Sequence, residues 1–532
     1  MTRAHTATPR VAVVGAGFSG LAAAVRLLRA GVTSFTVYEK APGLGGTWRD
    51  NTYPGAGCDI PSHLYSYSFA PYRDPRVRYP AQREILRYLE DVARAHGLEP
   101  HLRYGTEITH LRYDDPTRTW HLHDARGRVH HADAVITAVG QLHRPAVPDL
   151  PGARDYTGAA FHTARWDHDR PLDGAAVAVI GTGSSAAQVV PALAGRVRRL
   201  HVFQRSANWV MPKPGARFHP AHSALLRTLP GAHRTYRATL FQLSEALLLP
   251  AVRGNRFAAA VLRAKAERHL RTAVADPRLR DRLTPDFAFG CKRVVLSSDW
   301  YPTLQQEHVE LVTDPIERLT PEGIRTTDGR HRPVDAVVYA TGFRTTEFLT
   351  PMTVSGPGGR TLAEAFKAGP RTHLGIHVPG FPNLFLMYGP NTNLGHNSAV
   401  LALEAQASYI ARCVALLARG RVRAELDVTD RAADAWQELV DTGSAGTVWA
   451  GPCTSWFKTA DGSLTTNWPY RTRVYQRLTA APSPALTLHD TGTGAGSGGG
   501  TGAGAATAAG DGRPAPSDHP VRQAPPARKD PR

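Results

Sequence analysis

Apolar positions in this chain fall into short runs punctuated by glycine turns, and one arrangement occurs twice. Val11-Ala12-Val13-Val14 is a compact apolar run closed by a glycine-rich turn, which predicts a buried strand. Leu, Ala and Val then recur at helical spacing to about Ala30, and Thr36-Val37-Tyr38-Glu39 reads as the next strand. Residues 134–140 predict a further strand, after which Pro145, Pro148 and Pro151 mark a crossing to a new unit. Ala175 to Ile180 opens that unit, with His201-Val202-Phe203 as its second strand. From about 220 to 285 the Leu, Ala and Arg pattern turns helical, with Pro220, Pro230 and Pro250 as breaks. It is expected to be a helical insertion whose apolar faces pack on the second unit. Val309 to Val312 and Ala336 to Tyr339 return to strand character.

The two turns are Gly15-Ala16-Gly17-Phe18-Ser19-Gly20 and Gly181-Thr182-Gly183-Ser184-Ser185-Ala186. In a strand–turn–helix setting the first glycine permits the tight turn. The second lets backbone approach a pyrophosphate, and the third lets helix pack on strand. The helix N-terminus then faces the phosphates. Glu39 ends the second strand of the first unit, where an acid accepts hydrogen bonds from a ribose. The equivalent place in the second unit carries Arg205 and Ser206 instead. An arginine there suits the 2′-phosphate of NADP rather than the free hydroxyl of NAD.

These units predict an α/β fold with two Rossmann-like dinucleotide-binding domains. Residues 1–150 form the first segment of the first domain. Residues 151–343 form the second domain with its helical insertion at about 220–285, and residues 344–485 return to the first. Residues 486–532, rich in Gly, Ala, Thr and then Pro, lack the apolar content for a core and are expected to be disordered.

Composition changes this picture little. The chain of 532 residues carries 63 Lys and Arg against 45 Asp and Glu, a net charge of +18. Arginine is spread along the whole length and no nucleic-acid-binding motif occurs, so a nucleic-acid partner is not expected. A basic cleft would instead attract phosphates. Cys58, Cys291, Cys413 and Cys453 form no CxxC pair and no metal spacing, so they read as reduced, packed thiols. No secretory pattern opens the sequence and no apolar stretch approaches a membrane span of about 18 residues. A cytoplasmic protein that is not an integral membrane protein is the expectation.

The strongest chemistry lies between the two turns. Tyr156-Thr157-Gly158-Ala159-Ala160-Phe161-His162-Thr163-Ala164-Arg165-Trp166-Asp167 resembles the fingerprint of Baeyer–Villiger monooxygenases, F-x-G-x-x-x-H-x-x-x-W-(P/D), with Tyr156 in place of the Phe. Gly46-Thr47-Trp48 and the Tyr53–Ser62 stretch containing Asp59 are similar to that family's second flavin-contacting segment. Gly290-Cys291-Lys292-Arg293 resembles its catalytic block, Asp335–Phe343 its second signature, and Gly389–Asn397 its C-terminal flavin-side loop.

The resemblance implies FAD at the first turn, held by Gly15, Gly17, Gly20, Glu39, Gly46, Thr47 and Trp48. It implies NADPH at the second, held by Gly181, Gly183, Ser184, Ser185, Arg205, Ser206 and Lys292. Arg293 would be the catalytic cation beside the flavin, oriented by Asp59. A flavin peroxide, attacking as its anion, would insert one oxygen atom of O2 into a ketone to give an ester or lactone. A fixed guanidinium would stabilise that anion. Gly158, His162, Trp166 and Asp167 would act as a linker that tunes NADP binding.

Two other classes remain open at this point. An N- or S-oxygenating flavin monooxygenase uses a protonated peroxide and does not need such an arginine. A non-oxygenating flavoprotein of the disulfide-reductase kind needs a redox cysteine pair, and a sensor needs an output domain.

Overall fold

A computed structural model describes residues 8–72, 77–215, 218–418 and 424–489. Two five-stranded parallel sheets organise them. In the first the spatial order is Leu384–Leu386, Ala134–Thr137, Val11–Val14, Phe35–Tyr38, Leu102–Arg103. Val11–Val14 is central and wholly buried, which is why it is an uninterrupted apolar run rather than an alternating one. In the second the order is Val309–Val312, Arg199–Phe203, Ala176–Ile180, Ala336–Tyr339, Ala159–His162. Ala176–Ile180 is likewise buried throughout.

Each central strand ends in a glycine with positive φ, Gly15 at 108° and Gly181 at 115°, and a helix follows. The helix Phe18–Arg29 packs on the long helix Ala399–Leu417. That long helix is apolar enough to cross a membrane by length and composition, yet Val400, Leu403, Ala407, Ile410 and Val414 are buried in the core of the first sheet. The strand Leu384–Leu386, far along the chain, pairs with Ala134–Thr137, so the C-terminal third of the sequence completes the sheet that the N-terminus begins.

Two antiparallel units had no counterpart in the strand pattern read above. Ile108–Asp114, Thr119–Asp124 and Val129–Ala132 form a meander joined at its edge by Thr353–Ser355. Ile316–Thr320, Gly323–Thr326 and His331–Pro333 form a smaller one. Their strands alternate apolar with Arg, His and Thr, so a low apolar content concealed them.

Two expectations need correction. Leu486–His489, assigned above to the disordered tail, is a strand paired with Glu425–Val428. The remainder of that tail, from residue 490, lies outside the described residues. Cys291 and Cys453 are joined in a disulfide, so the reading of four reduced thiols fails. The pair is 162 residues apart with Cα atoms 6.4 Å apart, and only the tertiary fold brings the two together. Cys58 and Cys413 remain buried free thiols.

The helical insertion comprises Pro220–Thr228, Ala232–Leu243, a π-helical turn Ser244–Leu248, Leu249–Val252, Arg256–Ala273 and Pro277–Arg282. Its apolar faces pack on the molecule only in part, since Leu225, Leu243 and Phe257 stay exposed.

Candidate functional site

Both glycine turns open into one cavity of about 1270 Å³. Ligand pockets for a single small molecule run to roughly 1,000 Å³, so this volume suits more than one occupant. Of the residues proposed from sequence, Gly15, Gly17, Glu39, Gly46, Thr47, Trp48, Asp59, Gly181, Gly183, Ser184, Ser185, Arg205, Ser206, Lys292 and Arg293 all line it. Gly20, Gly158, His162, Trp166 and Asp167 do not.

The first turn is built for close approach. A side chain on Gly15 would put its Cβ 2.6 Å from the Ala138 carbonyl oxygen, and one on Gly20 would put it 1.8 Å from that of Gly15. Gly20 therefore serves helix–strand packing rather than the cavity. Gly17 and Gly46 face each other, with a Cβ on Gly46 reaching within 3.3 Å of the Gly17 Cα. Side chains at either position would fill the channel in front of the helix N-terminus. Glu39 is only 5% exposed and accepts from the Ala16 and Ala41 amides at 2.9 and 3.0 Å. Arg49 donates to the same carboxylate at 3.0 Å. This fixed acid at the cavity wall fits a ribose hydroxyl donor.

The second turn ends differently. Gly183 has open space where a side chain would stand. Lys292 donates to the Ser206 hydroxyl at 2.9 Å, and both line the cavity with Arg205. Burial, and then the charge of Arg205, hold the Lys292 ammonium below its usual pKa. Two cations that repel one another beside a hydroxyl form a site for an anion, whose arrival would relieve the repulsion.

Asp59 and Arg293 come from segments 234 residues apart and meet as a two-pronged pair. Arg293 Nε donates to Asp59 Oδ2 at 3.1 Å and its terminal nitrogen to Oδ1 at 2.5 Å. The carboxylate raises the guanidinium pKa still further, against the opposing effect of burial, so the charge is permanent. The Arg293 side chain keeps 35% of its surface and lines the cavity, so it is a cation held in place yet open to a ligand. Around it the Cys58 thiol is pushed up by burial and then by Asp59, and burial does the same to the Tyr388 phenol. Neither competes with Arg293 as a source of charge near neutral pH.

The disulfide anchors this block. Cys291 is two residues before Arg293, and its partner Cys453 precedes Thr454, Ser455 and Trp456, which also line the cavity.

The fingerprint stretch lies at the crossing between the sheets. Tyr156 sends its hydroxyl to the Val334 carbonyl at 3.0 Å. A Cβ on Gly158 would stand 2.2 Å from that hydroxyl, so the glycine makes room for the ring. His162 ends the strand paired with Ala336–Tyr339, and its Nδ1 accepts from the Ala164 amide at 3.1 Å. Burial lowers its pKa to about 4, so the ring is neutral near pH 7. Trp166 packs edge-on against Phe161 at 5.0 Å, and Asp167 closes a local turn by accepting from the Asp169 amide.

Sequence reasoning passed over several residues that organise the cavity. Gln188, on the helix after the second turn, exchanges hydrogen bonds with the Gly57 backbone at 2.9 and 3.2 Å and accepts from the Tyr53 hydroxyl at 2.8 Å. It thereby ties the Tyr53–Asp59 loop to the second nucleotide unit. Burial pushes the Tyr53 phenol up to about 12, which keeps it a donor. A glutamine on a helix carries no sequence signal for this. Glu245, in the π turn of the insertion, accepts from His396 at 2.9 Å, Asn397 at 3.2 Å and the Thr472 hydroxyl at 2.6 Å. Those bonds outweigh its burial and hold it ionised down to about pH 2. No sequence pattern marked it; the π turn that carries it is visible only in the fold, and such turns recur at functional sites. Tyr388 donates to Asn393 at 2.5 Å, and both line the cavity.

Comparison with known proteins matches this arrangement. Residues 8–230 fit the family model described as flavin-binding monooxygenase-like. A Baeyer–Villiger monooxygenase of Streptomyces coelicolor is 42% identical over 471 residues, covering 88% of this chain and 90% of that protein. Among solved structures, an oxidised steroid monooxygenase bound to NADP superposes with a TM-score of 0.80 at 32% identity, over 91% of this chain and 99% of that one. OTEMO in complex with FAD and NADP gives a TM-score of 0.80 at 26% identity, over 90% and 99% respectively.

Proposed function

This chain belongs to the Baeyer–Villiger monooxygenases, and from that premise we infer how its residues divide the work. It is an FAD- and NADPH-dependent enzyme that inserts one oxygen atom of O2 into a ketone to give an ester or lactone. The bound flavin supplies the redox chemistry, carrying two electrons from NADPH to O2 so that one oxygen atom reaches the ketone and the other leaves as water.

The channel between Gly17 and Gly46, with the Glu39 carboxylate at its wall, supports FAD there. Gly20 supports the same site from behind by letting its helix close on the strand. Arg205, Ser206 and Lys292 supply the charge and donors for the NADPH 2′-phosphate, with Gly181, Gly183, Ser184 and Ser185 lining its turn.

Arg293 is the group proposed to act on the ketone. Asp59 grips its guanidinium on one edge, which fixes its direction and leaves the rest of the fork facing the cavity. A permanent cation there stabilises negative charge as it develops on the oxygen being transferred and on the ketone oxygen. Lysine at this position would present a single flexible point charge instead.

Gly158, His162, Trp166 and Asp167 lie away from the cavity, in the connection between the sheets. We assign them to holding the geometry of that crossing, with His162 as a neutral cap rather than a proton carrier. We retain segments 1–150, 151–343 and 344–485 as the proposed domain organisation, with Leu486–His489 added to the last of them; residues 490–532 lie outside the described residues. The cytoplasm is the proposed compartment.

The observation that carries the reading is the Asp59–Arg293 fork inside a cavity shared by both glycine turns. The test is turnover of the purified holoenzyme with NADPH and a panel of cyclic, linear and aryl ketones. Ester or lactone in the products is the expected result. Sulfoxides or N-oxides from added sulfides or amines, with no ester from any ketone, would instead place the enzyme among the N- and S-oxygenating flavin monooxygenases.

A further inference from the structure

The helical insertion carries an apolar surface that its own packing leaves unused. Its helices pack each on the next, from Pro220–Thr228 through Ala232–Val252 to Arg256–Ala273. Exposed apolar side chains recur along them: Leu225 and, just past the end of its helix, Leu229; Leu243 and, in the π-helical turn, Leu247; and Phe257 with Val261 in Arg256–Ala273. Phe257 is 80% exposed and the other five are between 46% and 54% exposed. Phe257 and Val261, four apart in one α-helix, share a face. Leu226, Leu249 and Leu262 of the same helices are buried and face inward. The six side chains therefore belong to the outward surface of the insertion. Isolated exposed leucines are ordinary, but six exposed apolar side chains along the successive packed helices of one insertion mark a contact surface.

Charge says what the contact is with. Residues 220–271 hold nine Lys and Arg against two Glu. Glu245 is buried, and Glu267 pairs with Arg263 at 3.4 Å. Arg234, Arg253, Arg256, Lys265, Arg268 and Arg271 are all exposed. A second copy of the chain on a two-fold axis would set this basic rim against itself. Exposed apolar side chains interspersed with exposed cations suit an anionic lipid surface, where the Leu and Phe enter the acyl boundary and the Arg and Lys meet headgroup phosphates.

We propose that this face of the helical insertion docks the enzyme peripherally on an anionic lipid bilayer. The underside of the same helices adjoins the reaction site. Ala251, Leu262 and Ala266 pack in one cluster with Trp209 and Phe289, and Trp209 donates to the Phe287 carbonyl at 2.9 Å, just ahead of Lys292 and Arg293. Docking would hold the catalytic block at the membrane side of the molecule.

The experiment is co-sedimentation of the full-length holoenzyme with vesicles of phosphatidylcholine alone or with about 30% phosphatidylglycerol. The expected result is pelleting with the phosphatidylglycerol vesicles only, weakening as salt is raised. Replacing Leu243, Leu247 and Phe257 together by Ser should lower the partition at least about tenfold, and Lys265→Glu with Arg268→Glu should do the same. Both variants should keep their flavin and its reduction by NADPH, since these residues are exposed. No pelleting at low salt would overturn the proposal. Undiminished pelleting of both variants would do so as well, because the contact would then lie elsewhere. Self-association lost in the Ser variant, without lipid binding, would assign the face to a second copy instead.

Discussion

Removing the Arg293 guanidinium should separate oxygen transfer from flavin reduction. Arg293 is held by Asp59 through two hydrogen bonds of 3.1 and 2.5 Å, so its charge has one direction left to serve, the cavity. A unit charge acting on another at about 4 Å, in the effective dielectric near a protein surface, is worth about 4 kcal/mol. Deleting one preorganised donor of this kind from other enzymes lowers turnover about 10²- to 10³-fold. The two figures agree, and Arg293→Ala is expected to lose ester formation by at least about a hundredfold. Reduction by NADPH should persist, because it draws on Arg205, Ser206 and Lys292.

Stability should respond separately. The variant leaves the Asp59 carboxylate, with 14% of its side-chain surface exposed, without its partner. Breaking a fully buried pair costs about 3–5 kcal/mol. The 35% exposure of Arg293 lets solvent screen part of that, so about 1–2 kcal/mol is the expected loss. Adding Asp59→Asn removes the orphaned charge and should restore the melting temperature without restoring ester formation. The assay is NADPH consumption, ester by gas chromatography and hydrogen peroxide release, beside thermal unfolding of the single and double variants. An Arg293→Ala enzyme that keeps more than about a tenth of its ester-forming turnover would refute the assignment. So would recovery of activity in the double variant.

Arg205→Ala should cut the preference for NADPH over NADH about ten- to a hundredfold, the worth of one charge-assisted hydrogen bond, measured as the ratio of kcat/KM; an unchanged ratio removes Arg205 from the phosphate site. Titrating thiols in the denatured, unreduced protein should find two, Cys58 and Cys413; four would show that Cys291 and Cys453 are not joined. Burial raises the Asp427 carboxyl to about 6 against the Val428 and Gly380 amides that favour its anion. A raised folded pKa gives stability that is complete below the unfolded value and lost as pH rises through 6. Asp427→Asn should therefore gain about 1–3 kcal/mol on the wild type between pH 4 and pH 8, read as melting temperature at both pH values; equal differences at the two would show that Asp427 ionises normally.

The sequence determined what local chemistry can specify. Val11–Val14 and Ala176–Ile180 read as buried strands because parallel strands covered on both faces must be continuously apolar. The glycines were legible because strand-to-helix turns at positive φ admit little else, as Gly15 and Gly181 show. Arg205 stood out as the counterpart of Glu39 at an equivalent point in the repeat. The resemblance around residues 156–167 then supplied roles that spacing alone does not.

Tertiary structure decided whatever depends on segments that meet without a shared local pattern. The meander Ile108–Ala132 hid behind its Arg, His and Thr positions, and Leu486–His489 became a strand because Glu425–Val428 offered it an edge. Gln188 gained its role only when its helix arrived beside Gly57, and Glu245 when the insertion met His396 and Thr472. Cys291 found Cys453 across 162 residues. Hydrogen bonds, ion pairs and disulfides act over a few ångströms, and distance along the chain does not report distance in space. The sequence therefore named Asp59 and Arg293, and the packing of two sheets set one against the other at the wall of a shared cavity.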